Sequence, residues 1–259
     1  MDSDTLKVSL NNGIAQIEIN RPEKKNALTQ AMYVAMADAL AQADNNPAVR
    51  VVLINGQSNV FTSGNDLQDF MKFKSDEPFE SGAIFRFLRG ISAAAKPVIA
   101  AVNGAAIGIG TTMLLHCDLV YAGESAFLQL PFINLGLCPE AASSLLLPRL
   151  AGYQRAAELL LFGEPFSAQS AREIGLVNEV VRDDQVLDRA LARAQQLAAQ
   201  PPSSVRITKQ LLKEAQAAEV LRVMSEEGRQ FAARLASAEA KEAFTAFYEK
   251  RKPDFSRFD

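Results

Sequence analysis

Phe61-Thr62-Ser63-Gly64-Asn65-Asp66-Leu67 and, about one βα unit later, Asn103-Gly104-Ala105-Ala106-Ile107-Gly108-Ile109-Gly110 carry the strongest signal in the chain. Each is a loop of small residues that follows an apolar strand. Glycine removes side-chain bulk, so main-chain N–H groups in such loops can face a ligand. Two loops of this kind can aim one N–H each at a single carbonyl oxygen, which is how an enolate or oxyanion is stabilised. The plainer alternative is that both are tight turns. A third segment, Leu137-Cys138-Pro139-Glu140, supplies a carboxylate suited to proton transfer.

Around these loops the pattern alternates between strand and helix. Leu6, Val8 and Leu10, then Ala15, Ile17 and Ile19, flank Asn11-Asn12-Gly13 and predict a hairpin. Thr29 is a candidate cap for a helix running to about Asp44. Val49 to Ile54 and Val98 to Val102 are continuous apolar runs, as in strands buried on both faces. Ser81 is expected to cap a helix carrying Ile84, Phe85, Leu88 and Ile91, which stops before Lys96-Pro97. A short helix from about Gly110 to Cys117 leads to a strand at Leu119 to Ala122. Ser167 starts a helix that Gly175 ends, before a strand at Val177 to Val181. This alternation predicts an α/β fold with parallel strands and right-handed crossovers. After Pro201-Pro202 the strand signal stops, and residues 203–250 read as helical. The division expected is a core over 1–200 and a helical region over 201–259.

Composition narrows the function. Of 259 residues, 48% are apolar and none is Trp, so the core is aliphatic and Ala-rich. A net charge of −3 gives no general attraction to nucleic acid or to an anionic membrane, although Lys24-Lys25 can hold a small phosphorylated ligand. Cys117 and Cys138 lie in apolar contexts, which points to a reducing compartment. No apolar run reaches membrane-spanning length, Met1-Asp2-Ser3-Asp4 is not a signal-peptide start, and Ser256-Arg257-Phe258-Asp259 is not a peroxisomal address. The expectation is a cytoplasmic protein. His116 is the only histidine; an acid/base role is weighed against a purely structural one, and the structural one is preferred.

Several segments together resemble the crotonase, or enoyl-CoA hydratase/isomerase, superfamily. They are Asn20-Arg21-Pro22 with Lys25-Asn26-Ala27-Leu28, the Ser63 to Leu67 loop, Lys96 to Gly104, Cys117-Asp118, Asn134-Leu135-Gly136, Ala171 with Gly175 to Asn178, and Phe247 to Arg251. The resemblance implies a crotonase/ClpP-like spiral of ββα turns with a C-terminal helical trimerisation region. It implies a homotrimer or dimer of trimers acting on acyl-CoA thioesters. Coenzyme A would then be part of the substrate, with no separate cofactor and no metal. The matching oxyanion donors are the N–H groups of Ser63 and Ile109. Lys24, Lys25, Ala27, Leu28, Gly64, Asn65, Asp66, Leu67, Gly108, Phe132, Phe247 and Lys250 become candidate substrate-binding positions. Asp66 has a second reading, as a loop or helix cap.

The family's hydratases carry two glutamates that position water, and the matching positions here are Thr112 and Phe132, neither of them a base. The peroxisomal-type Δ3,Δ2-enoyl-CoA isomerases carry a Ser-Gly-Asn-Asp-Leu loop and one glutamate just after the proline of Leu-Gly-x-x-Pro. This chain has both, with Glu140 as the glutamate. The resemblance therefore implies a double-bond isomerase with Glu140 as the acid/base. A hydratase and a non-catalytic acyl-CoA-binding module are the alternatives. Apolar neighbours such as Phe132 and Leu137 should raise the pKa of Glu140, whereas a place in the first turn of a helix over Ala141 to Leu147 should lower it.

Overall fold

Asn12 and Gly13 both take positive φ, 50° and 78°, the backbone that a two-residue hairpin turn demands. They join β1 (Leu6–Asn11) to β2 (Ile14–Ile19), the one antiparallel pair of a six-stranded sheet. The computed structural model describes residues 5–57, 59–70 and 79–258; Met1 to Asp4 and Asp259, read above, lie outside the described residues. Along the chain follow α1 (Gln30–Asn45), β3 (Val51–Gly56), β4 (Val60–Thr62), α2 (Leu67–Phe70), α3 (Ala83–Ala93), β5 (Val98–Val102), β6 (Ala105–Ile107) and α4 (Ile109–Thr112). Then come β7 (Leu119–Gly123), β8 (Phe127–Gln129), α5 (Ser143–Ala151), α6 (Tyr153–Phe162), β9 (Phe166–Ser167), α7 (Ala168–Glu173), β10 (Glu179–Val181), α8 (Val186–Ala198), α9 (Pro202–Leu235) and α10 (Ala238–Tyr248).

The large sheet runs β1-β2-β3-β5-β7-β10 and is parallel from β2 onward. Its central strands are apolar throughout because both faces are covered. Val51 and Leu53 of β3 pack with Val186, Ala190 and Ala194 of α8 on one face. Val52 and Ile54 enter the main core with Met36 and Leu40 of α1 and Phe87 and Leu88 of α3 on the other. The Thr29 hydroxyl accepts from the Met32 N–H and starts α1 as expected. The cap of α3 is Gly82 rather than Ser81, since Phe79–Ser81 is itself a 3-10 turn and only Gly82 is extended before the helix.

A second sheet, β4-β6-β8-β9, was not foreseen, because strands of two or three residues leave no periodic signal. This sheet positions the site. β4 and β6 are parallel neighbours, so the loops after them emerge at the same end. The C-terminal region is two helices. α9 buries Val220, Met224 and Phe231 against the main core and exposes Leu211 and Leu212. Among the described residues, no helix is long and apolar enough to cross a membrane.

Candidate active site

The two glycine loops touch. A Cβ on Gly64, whose φ is +89°, would lie 2.8 Å from the carbonyl oxygen of Ile107. A Cβ on Gly110 would lie 2.6 Å from Cγ2 of Thr62. Glycine is therefore required at both for the loops to close on each other. Gly108, at φ +58°, has open space where a Cβ would go. Its carbonyl accepts from the N–H groups of Thr111 and Thr112 and so opens α4, and no described group accepts from the N–H of Ile109.

The donor expected on the other loop is not free. The N–H of Ser63 donates to the carbonyl of Lys25 at 3.0 Å, and that of Gly64 donates to the Thr62 hydroxyl at 3.1 Å. Leu28 then pairs with this loop as a short parallel bridge, bonding the carbonyl of Gly64 and the N–H of Asp66. Strand geometry turns the intervening Asn65 the other way. Its N–H has no described acceptor, so the available donors are Asn65 and Ile109 rather than Ser63 and Ile109. The Asn65 side chain is anchored by Tyr33 on α1, whose hydroxyl donates to Oδ1 at 2.5 Å.

Glu140 is 6% exposed. Its Oε1 accepts from the Thr112 hydroxyl, and its Oε2 has no partner. Burial is the largest influence and pushes the carboxyl up to about 8; the Thr112 bond opposes this and the nearby Glu227 adds to it. The expected helical position is corrected. Ala141 and Ala142 are both left-handed (φ 60° and 57°), and α5 begins only at Ser143. Glu140 thus precedes the helix, and desolvation decides its pKa. Phe132 is buried and meets Phe231 edge-to-face at 6.2 Å.

Other expectations divide. Lys24 and Lys25 are exposed and Ala27 is half-buried beside the Ser63 loop. Leu28 is corrected: the bridge to Asn65 turns its side chain into the core, at 2% exposure. Asp66 acts as a cap, its carboxylate accepting from the N–H groups of Gln68 and Asp69 and pairing with Arg21 at 2.7 Å. Burial works to raise its pKa, but the Arg21 and backbone bonds prevail and hold it below the usual carboxylate value. Leu67 packs against the core. Phe247 and Lys250 are exposed at the far end of α10, and no described contact joins them to Glu140 in this chain. His116 is structural: its Nε2–H donates to the carbonyl of Ala141 at 2.8 Å, and burial drives its pKa down to about 4. Among the described residues, no group of three His, Cys, Asp or Glu is placed to hold a metal ion.

Three participants escaped the sequence reading. Arg21 stands in the Asn20-Arg21-Pro22 motif without an expected role, and no role was expected of Tyr33 on α1. Glu227 of α9 had no signal at all; its carboxylate accepts from the N–H groups of Ala142 at 2.5 Å and Ser144 at 2.8 Å.

Two touching loops, each with an N–H that has no described acceptor, and one buried carboxyl meet in a single candidate site. The chain belongs to the enoyl-CoA hydratase/isomerase family, whose model matches residues 9–257. It is 36% identical over 256 residues to enoyl-CoA delta isomerase 2 of Rattus norvegicus, covering 97% of this chain and 65% of the relative. The chain thus spans about two-thirds of that relative's length. It is 33% identical to 2,3-dehydroadipyl-CoA hydratase of Escherichia coli K12, over 96% of this chain and 98% of the relative. A crystal structure of an enoyl-CoA hydratase/isomerase from Pseudoalteromonas atlantica T6c superposes with a TM-score of 0.92 at 45% identity, covering 97% of this chain and 99% of that one. The protein is a crotonase-type enzyme with the family's fold.

Proposed function

We propose that the protein is a Δ3,Δ2-enoyl-CoA isomerase in which Glu140 alone moves the proton. The observation that carries this reading is the buried carboxyl of Glu140, with the Thr112 hydroxyl on one oxygen and no described partner on the other. In a 3-enoyl-CoA the C2 hydrogens lie between the thioester carbonyl and the double bond. The Glu140 carboxylate takes one of them, the electrons move through C2–C3 to give a dienolate, and the same carboxyl returns the proton at C4. The negative charge collects on the thioester oxygen, where the N–H groups of Asn65 and Ile109 stabilise it as it develops. A base with a pKa near the working pH suits both halves of this exchange.

Hydration of a 2-enoyl-CoA calls for a carboxylate pair around water. Thr112 and Phe132 occupy the matching positions, and the nearby Glu227 carboxylate is engaged by two backbone N–H groups. Coenzyme A enters as part of the substrate, and the exposed Lys24 and Lys25 are the groups proposed to meet its phosphates. The exposed Ile207, Leu211 and Leu212 of α9 favour assembly into a homotrimer or a dimer of trimers.

A paired assay on 3-enoyl-CoA and 2-enoyl-CoA, with Glu140→Gln alongside, tests the proposal. The expected result is appearance of 2-enoyl-CoA, reduced about 10³-fold or more in the variant. Unchanged turnover by the variant, or consumption of 2-enoyl-CoA to a 3-hydroxy product as the main reaction, overturns it.

A further inference from the structure

Two buried titratable groups that take no part in this proton transfer meet on a single peptide, the one joining Ala141 to Ala142. On one side His116 Nε2–H donates to the Ala141 carbonyl at 2.8 Å. On the other, Glu227 accepts from the Ala142 N–H at 2.5 Å. Its second oxygen accepts from the Ser144 N–H at 2.8 Å, in the first turn of α5. Ala142 offers no side-chain cap to α5, so Glu227 supplies from α9 the cap that the local sequence lacks.

The gripped peptide is costly to hold. Two consecutive alanines at φ 60° and 57° each sit in a region that L residues avoid. Such a turn persists where its surroundings over-determine it. It also immediately follows Glu140, so relaxing it would swing that carboxyl off Thr112. We propose that Glu227 is a positioning residue for Glu140: with His116 it clamps the Ala141–Ala142 peptide and so fixes the direction of the catalytic carboxyl. The inference rests on Glu140 being the base.

The groups facing Glu140 are few. Thr112 comes from α4, Tyr33 from α1, Glu227 from α9, and Cys138 from the same loop. His116 lies behind Ala141 and is neutral above about pH 4. Glu227 is the one carboxylate among them, and its charge disfavours ionisation of Glu140. Removing it has two separable effects: misdirection, which lowers kcat, and a lower pKa for Glu140.

The test is Glu227→Gln in the full chain, assayed on 3-enoyl-CoA across pH. A glutamine keeps one acceptor for two N–H donors and removes the charge. The expected result is a kcat lower by about tenfold or more, with KM within about threefold, and an acid limb of the pH profile moved to lower pH. Glu227→Asp, which keeps the charge, should restore the acid limb and part of kcat. If Glu227→Gln fails to fold, the same substitution is made in an Ala142→Gly background, where glycine takes the left-handed conformation freely. The double variant should then fall about tenfold or more in kcat below Ala142→Gly alone. A folded variant with its parent's kcat and acid limb overturns the proposal. Glu140→Gln in the same plates separates the two readings: full activity there defeats the assignment of the base, whatever Glu227 does.

Discussion

Replacing Glu140 with glutamine should make the protein more stable above neutral pH while removing its activity. In the folded state burial lifts this carboxyl from 4.5 to about 8, so the native protein holds a proton that the unfolded chain releases. A raised carboxyl pKa works against folding as pH rises: the cost is absent below pH 4.5, grows between 4.5 and about 8, and is constant above. At about 1.4 kcal/mol per pH unit the full cost is about 5 kcal/mol, of which about 3 kcal/mol has accumulated by pH 7. Glutamine is neutral throughout and can still accept from Thr112, so it escapes this cost. Urea unfolding at fixed protein concentration, at intervals from pH 4.5 to 9, reads the difference directly. The two stability curves should diverge steadily up to about pH 8 and then run parallel, with the variant the more stable. Curves that stay parallel across the whole range would refute the argument that Glu140 is desolvated and proton-retaining. The same pKa predicts that wild-type kcat/KM climbs with pH and passes half its maximum near pH 8.

Other substitutions test the rest of the site. Thr112→Val removes the bond that favours the Glu140 carboxylate, so the acid limb of kcat/KM should move up by about one pH unit or more. Gly64→Ala places a Cβ 2.8 Å from the Ile107 carbonyl at a φ of +89°. It should cost about 1–3 kcal/mol in thermal unfolding and lower kcat by parting the two loops. Arg21→Ala leaves the Asp66 carboxylate without the guanidinium 2.7 Å away, and should cost about 2 kcal/mol in urea at pH 7. Because the Asp66 pKa is depressed, that difference should shrink as pH falls through the acid range below 3.8.

The legible parts of this chain were those governed by neighbours in sequence. The turn at Asn12-Gly13, the Thr29 cap and the two-sided burial of Val51 to Ile54 each follow from local chemistry or from an apolar run. The small-residue loops and Glu140 were legible too, as residue types in a spacing. The second sheet was not, since its strands are too short to show a period.

Sequence by itself determined that two glycine loops follow parallel strands and that one glutamate stands after Pro139 with no carboxylate at positions 112 and 132. Tertiary structure decided which N–H groups remain free, moving the donor from Ser63 to Asn65 because the carbonyl of Lys25, 38 residues upstream of Ser63, takes the Ser63 N–H. It also decided that Glu140 stands outside the helix, and that burial prevails over every other influence on its pKa. Hydrogen-bond occupancy and desolvation are sums over groups that only folding brings together. Glu227, 87 residues beyond Glu140 on a separate helix, reaches the turn beside it through contacts that no local pattern encodes.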